Sequence, residues 1–347
     1  MERAYSYILH EQAQRYPGMT AQDFVKLAYQ TEFGPAHLRE TGSAEALAHL
    51  RRELAALPEG CSPQRVERIG NKLARMPLAN LSEDGVPLLA RLLVLTAREH
   101  SGTDEGFAAR LEELRALPVA GLEEFLASYD GGAVHHSDAY AALYRPHYRV
   151  LDKDYAVYFP ALLSVERLMR AGKSVVVSID GRCGSGKSTL GGLLEHVLGG
   201  NLFHMDDFYL PNDVRPADWE SIPAGNMDLV RFREQVLEPA RRGDTVLYRA
   251  YDSVNGCLRP AVAYTPRQLT VIEGSYSQHP SLRPFYDQTI FLTCERTIQN
   301  ERLQRRERES GYYDDFQRYW IPMEERYHDY FSIPQHADLL LDTAEFF

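Results

Sequence analysis

Cysteine is scarce in this chain. Only Cys61, Cys183, Cys257 and Cys294 occur in 347 residues, and no two form a C-x-x-C pair. That spacing suits thiols kept reduced in a cytoplasm better than a disulfide framework or a thiolate zinc site. Long apolar runs are missing as well. No stretch reaches the roughly 18 uncharged apolar residues of a membrane span. The start of the chain carries Glu2, Arg3 and His10 without an apolar core, so no signal peptide is expected. Basic excess is also absent, because the net charge is −11. That balance argues against a nucleic-acid coat or an anionic membrane as partner. The hydrophobic fraction of 44% and charged fraction of 25% are ordinary for a globular protein. The expectation is a cytoplasmic protein of two domains.

Against this background one string stands out. Residues 181–188 read Gly-Arg-Cys-Gly-Ser-Gly-Lys-Ser, which is G-x-x-x-x-G-K-[ST]. Gly181, Gly184 and Gly186 let the backbone turn tightly and bring its N–H groups to a phosphate. Cys183, Ser185 and Thr189 complete the run that would wrap the nucleotide. Lys187 supplies a point charge for the β- and γ-phosphates, and the Ser188 hydroxyl is a Mg²⁺ ligand in such loops. Cys183 reads as a small buried filler more readily than as a redox-active thiol. The β-branched run 174–180 precedes the loop, and the apolar-periodic segment Thr189–Leu198 follows it. Strand, glycine loop and helix is the context the motif requires, since the helix N-terminus then faces the anion.

Residues 1–170 read as a helical domain. Thr20-Ala-Gln-Asp23 has the form of a capping box. Further helices are predicted over 43–57, 63–75, 84–99, 103–116, 121–128 and 154–171. The segment around Val86–Leu95 is apolar nearly all round, as a central buried helix would be. His135, His136, Tyr140, Tyr144, Tyr148 and Tyr155 form a polar-aromatic concentration that reads as a partly buried, satisfied cluster more readily than as a ligand site. The domain boundary is expected at Ala171-Gly172. From there strands are predicted at 174–180, 200–204, 245–248, 269–273, 288–293 and 337–341, alternating with helices. The fold class is therefore α/β, a parallel sheet flanked by helices, with an N-terminal all-helical domain.

Three further segments can carry chemistry. Asp206-Asp-Phe-Tyr209 follows the second strand, where a carboxylate can take a proton from an attacking hydroxyl. Val271-Ile-Glu273-Gly274 ends a buried strand with an acid suited to Mg²⁺. Thr297–Arg308 is arginine-rich, and a guanidinium suits bidentate phosphate contact. Each is commonplace alone.

Together, in this order, they resemble the uridine kinase-like branch of P-loop kinases, over about residues 172–345. The resemblance rests on GRCGSGKST, D-D-F-Y at 206–209, Asn226-x-Asp228, Tyr251-Asp252, VIEG at 271–274, R-L-x-R-R at 302–306 and the tail from Tyr319 to Leu341. It implies ATP and Mg²⁺ as cofactors and a small hydroxyl-bearing acceptor, a nucleoside among the candidates. It implies Asp206 as general base, Tyr209, Asp228 and Tyr251 in the acceptor pocket, Glu273 near the metal, and Arg302 and Arg305 as lid arginines. Uridine kinases carry a histidine shortly after Tyr-Asp; here Tyr251-Asp252-Ser-Val-Asn-Gly256 has none. The lid ends Arg308-Glu309 where the family has Arg-Asp. The acceptor therefore stays open, as do self-association and the role of the first half. An ATP-binding regulator, whose helical half contacts a protein partner, is the alternative reading.

Overall fold

The protein is described by a computed structural model covering residues 5–58, 65–79, 81–172 and 174–344. Glu2, Arg3 and Cys61 lie outside the described residues. The chain divides into two units, Met1–Val157 and Tyr158–Phe347. The helix expected over 154–171 is broken. A short turn, Lys153–Val157, is followed by a separate helix, Phe159–Arg170. Pro160 lies in the first turn of the second helix, where a missing N–H costs nothing. That helix packs on the strand Val175–Gly181 and so belongs to the second unit, not the first.

In the first unit, helices Tyr5–Arg15, Ala21–Phe33, Ser43–Ala55, Val86–Glu99, Asp104–Arg115, Leu122–Ser128 and Asp138–Tyr144 surround a small sheet. Val86–Glu99 buries Val86, Leu88, Leu89, Ala90, Leu92, Leu93, Val94 and Ala97, which is why its sequence is apolar nearly all round. The sheet corrects the helix expected at 63–75 and the all-helical reading of this half. Its strands are β1 (Glu67–Arg68), β2 (Leu73–Pro77) and β3 (Tyr148–Asp152), antiparallel in the order β1-β2-β3. Every residue of β2 is buried. Pairing with β3, far along the chain, overrides local helical preference. The turn is local: Ile69 N–H donates to the Leu73 carbonyl (3.0 Å) around Gly70-Asn71, a dipeptide typical of hairpins.

The polar cluster of this unit is densely hydrogen-bonded within itself. Glu67 accepts from Gln12 (2.9 Å), Arg15 (3.1 Å) and the buried Arg75 (3.1 Å). Asp23 faces His136 Nδ1 (2.9 Å) and accepts from Ser137 N–H (3.0 Å), Ser137 O–H (2.6 Å) and Thr20 N–H (3.0 Å). The far nitrogen of His136 meets the Tyr148 hydroxyl at 2.6 Å, and its ring stacks on Tyr140. Burial pushes the Asp23 carboxyl up, but the hydrogen bonds from His136, Ser137 and Thr20 outweigh it and hold the group well below the usual carboxylate range.

The second unit is built on a five-stranded parallel sheet. Its strands are β4 (Val175–Gly181), β5 (Asn201–His204), β10 (Leu269–Glu273), β11 (Gln288–Thr293) and β12 (Leu339–Asp342). They lie in the order β12-β11-β4-β10-β5. β4 and β10 are buried along their whole length, as central strands covered on both faces must be. Between β5 and β10 the chain makes two small excursions. β6 (Val246–Tyr248) pairs with β9 (Val262–Tyr264), and β7 (Tyr251–Asp252) with β8 (Cys257–Leu258). The strand expected at 245–248 thus exists outside the parallel sheet. Helices Lys187–Leu198, Arg296–Arg306 and Ile321–Phe331 follow β4, β11 and the segment 313–320. This is a helix-flanked α/β architecture with a parallel sheet.

Candidate phosphate-binding site

The carboxyl ends of the parallel strands lie along one edge of the sheet, where ligands of such sheets bind. β4 delivers the loop 181–188, β10 delivers Glu273, and β5 delivers His204 and then Asp206. These surround a cleft of about 860 Å³. Its walls include Cys183, Gly184, Gly186, Lys187, Ser188, Thr189, Asp206, Tyr209, Glu273, Arg302 and Arg305.

The loop is shaped by residues that accept positive φ: Gly181 at 143°, Gly184 at 75° and Gly186 at 99°. Gly181 and Gly186 have a second constraint. A Cβ at Gly181 would overlap the Leu292 backbone, and one at Gly186 would overlap the Tyr158 hydroxyl. Lys187 folds back and donates to the carbonyls of Gly181 (2.6 Å) and Arg182 (3.2 Å). Burial pulls its ammonium pKa down, but Glu324 and Asp180 outweigh that and hold it above its ordinary value, so it carries a charge. Ser185 is fully buried and its hydroxyl has no partner.

Beside the loop, Ser188 O–H donates to Glu273 Oε2 at 3.2 Å. The other oxygen of Glu273 is held by His204 Nδ1. Two hard oxygen donors side by side at the mouth of a glycine cradle fit a Mg²⁺ site. Asp206 opens onto the cleft, yet the surrounding walls crowd it. That desolvation and the charge of Glu273 push its carboxyl up, while Lys187 pulls it down; the balance is upward. Tyr209 O–H donates to it at 3.2 Å. Burial pushes the Cys183 thiol up, with Glu324 adding to the shift, so this thiol is not an activated one.

The two arginines of the helix Arg296–Arg306 differ. Arg302 Nη1 donates to the Gly184 carbonyl (2.9 Å) and Thr343 Oγ1 (3.0 Å), and Nη2 to the Thr343 carbonyl (2.7 Å). It clamps the loop at the cleft wall. Arg305 is exposed on the cleft wall. Asp228 and Tyr251 do not line the cleft. Asp228 caps the turn Leu229–Phe232, accepting from Arg231 N–H (3.0 Å) and Arg231 Nε (3.2 Å). Tyr251 lies in the β7–β8 hairpin.

Sequence reasoning passed over Glu324. This residue, in the helix Ile321–Phe331 and only 5% exposed, accepts from the Cys183 N–H at 2.9 Å and from the Ser275 hydroxyl. It lies 3.9 Å from Lys187. Tyr276, buried in the same wall, adopts φ of 72°, a strained value for an aromatic residue.

No protein-family model matches the chain, and no curated protein matches its sequence. Solved structures match about half of the chain. One is described as a possible uridine kinase from Bacillus stearothermophilus, with 21% identity, 53% of this chain and 98% of that chain covered, and a TM-score of 0.41. Another is a candidate fructose transport system kinase from Silicibacter, with 22% identity, coverage of 51% and 94%, and a TM-score of 0.41. A third, the YGR205w protein, shares 18% identity over 52% of this chain and 83% of its own, with a TM-score of 0.33.

Proposed function

We infer that the second unit is a phosphotransferase that moves the terminal phosphoryl group of ATP to a hydroxyl of a small metabolite. The observation that carries this is the single cleft in which the glycine loop, Lys187, the Ser188–Glu273 pair and Asp206 meet. The loop's N–H groups and Lys187 would hold the triphosphate. Ser188 and Glu273 would hold Mg²⁺, which supplies charge neutralisation at the phosphates. Asp206, with its carboxyl pushed up and Tyr209 against it, would take the proton of the acceptor hydroxyl as its oxygen attacks phosphorus. Arg305, exposed on the wall, would approach the phosphoryl group; Arg302 would act through the loop it clamps. Most of the rate gain would come from positioning and charge complementarity. Asp228 and Tyr251, placed outside the cleft, contribute to acceptor binding only if the acceptor extends toward the β7–β8 hairpin.

The test is ADP release by the full chain across nucleosides, vitamins and sugars, with Mg-ATP. Acceptor-stimulated release that disappears in Asp206→Asn while ATP affinity persists is the expected result. ATP binding without stimulation by any acceptor would favour an ATP-binding regulator instead.

A further inference from the structure

We propose that Glu324 is a built-in competitor for the terminal phosphate of the nucleotide and sets how strongly the loop discriminates between nucleotides. This rests on the reading of the cleft as a phosphate site. A phosphate loop works by presenting unpaired N–H groups and one ammonium to an anion. Here a carboxylate already sits there. Glu324 takes the Cys183 N–H at 2.9 Å, receives the Ser275 hydroxyl, and lies 3.9 Å from Lys187 Nζ. Lys187 is the residue that reaches the β- and γ-phosphates in such loops. Being almost fully buried, the carboxylate is poorly screened, so a second anion at the same donors has to displace it.

The surroundings give it somewhere to go. Glu324 is preceded by Phe316–Trp320, wound as a π turn, a loosened helical geometry frequent at functional sites. Ile321, in the first turn of its helix, packs on Cys183 of the loop and Leu303 of the arginine helix. The neighbouring Glu325 pairs with Arg182 at 2.9 Å. Displacing Glu324 therefore moves contacts on the loop and on the arginine helix together. Trp320, on the cleft wall, is the natural reporter. A ligand with only an α-phosphate does not reach Lys187 and leaves Glu324 in place.

The experiment compares the full chain with Glu324→Gln, which keeps the shape and an oxygen for the Cys183 N–H but removes the charge. Calorimetry without Mg²⁺ measures binding of tripolyphosphate, ATP and AMP, and Trp emission is recorded in parallel. The expected outcome is at least about tenfold tighter tripolyphosphate and ATP binding by the variant, with AMP affinity changed less than about twofold. In both proteins tripolyphosphate shifts Trp emission, and in the variant the half-maximal shift comes at a lower tripolyphosphate concentration. Equal or weaker polyphosphate binding by the variant overturns the proposal while leaving the phosphate-site reading intact. Absence of polyphosphate binding by both proteins overturns the phosphate-site reading itself. If Glu324→Gln melts several degrees lower, Glu324→Ala is measured in the same way and judged by the same outcomes.

Discussion

At Gly186 the backbone sits at φ of 99° beneath the Tyr158 hydroxyl. A methyl group there meets both an unfavourable conformation and an occupied space. Gly186→Ala is expected to destabilise the protein by about 2–4 kcal/mol in urea titrations. Adding Tyr158→Phe should recover part of the loss, because it removes the overlapping oxygen. Recovery of nothing would show that the backbone conformation alone sets the cost. At the same scale, Lys187→Ala should abolish ATP binding by calorimetry and lower stability by about 1–3 kcal/mol in urea titrations. It takes a donor from the Gly181 and Arg182 carbonyls and leaves the buried Glu324 carboxylate, 3.9 Å away, without that counter-charge. The turn at 181–188 was legible in the sequence, because eight consecutive residues carry it. Glu324 was not. Its partner Cys183 is 141 positions away, and an acid in a charged helix has no local mark.

The arginine helix shows how one element can hold two tasks. Arg302 and Arg305 look equivalent in Arg302-Leu-Gln-Arg305-Arg306, yet one turn of helix sends them to different environments. Arg302 satisfies three acceptors on Gly184 and Thr343. Arg302→Ala should therefore lower stability by about 2–3 kcal/mol, since buried acceptors lose their donors. Arg305→Ala should leave stability within about 0.5 kcal/mol but reduce turnover on the order of a hundredfold. Denaturant titration and steady-state rates on both variants separate the tasks, and a stability loss in Arg305→Ala would assign it to the clamp as well. The elements of this half were readable because each strand is a short apolar run beside a turn signal. In the first half, β2 was hidden. Leu73-Ala-Arg-Met suits a helix until β3 is known to lie beside it, and only Gly70-Asn71 announced a hairpin.

Across the whole molecule, acid response should follow the buried carboxylate of the first unit. Asp23 has a folded pKa below its unfolded value, so its contribution is present above about pH 4 and fades as pH falls further. Asp23→Ala should cost about 3 kcal/mol at pH 7, because it strands the donors of Ser137 and the ring of His136. The difference between variant and parent should shrink as pH falls below about 4, read by denaturant midpoints. A constant difference from pH 7 to pH 3 would contradict this account. The rhythm of the sequence changes near residue 170, and the two units divide at Val157–Tyr158, one helix earlier. A helix that covers a sheet and one that joins a bundle share the same periodicity.

Thr343 closes the seam behind the phosphate loop. Its hydroxyl donates to the Ser185 carbonyl at 2.9 Å, and its own oxygens receive Arg302. During synthesis on the ribosome the glycine loop therefore emerges more than 150 residues before its last brace. A nascent chain stalled short of Thr343 would carry the whole glycine motif without the residue that ties its middle to the far edge of the sheet.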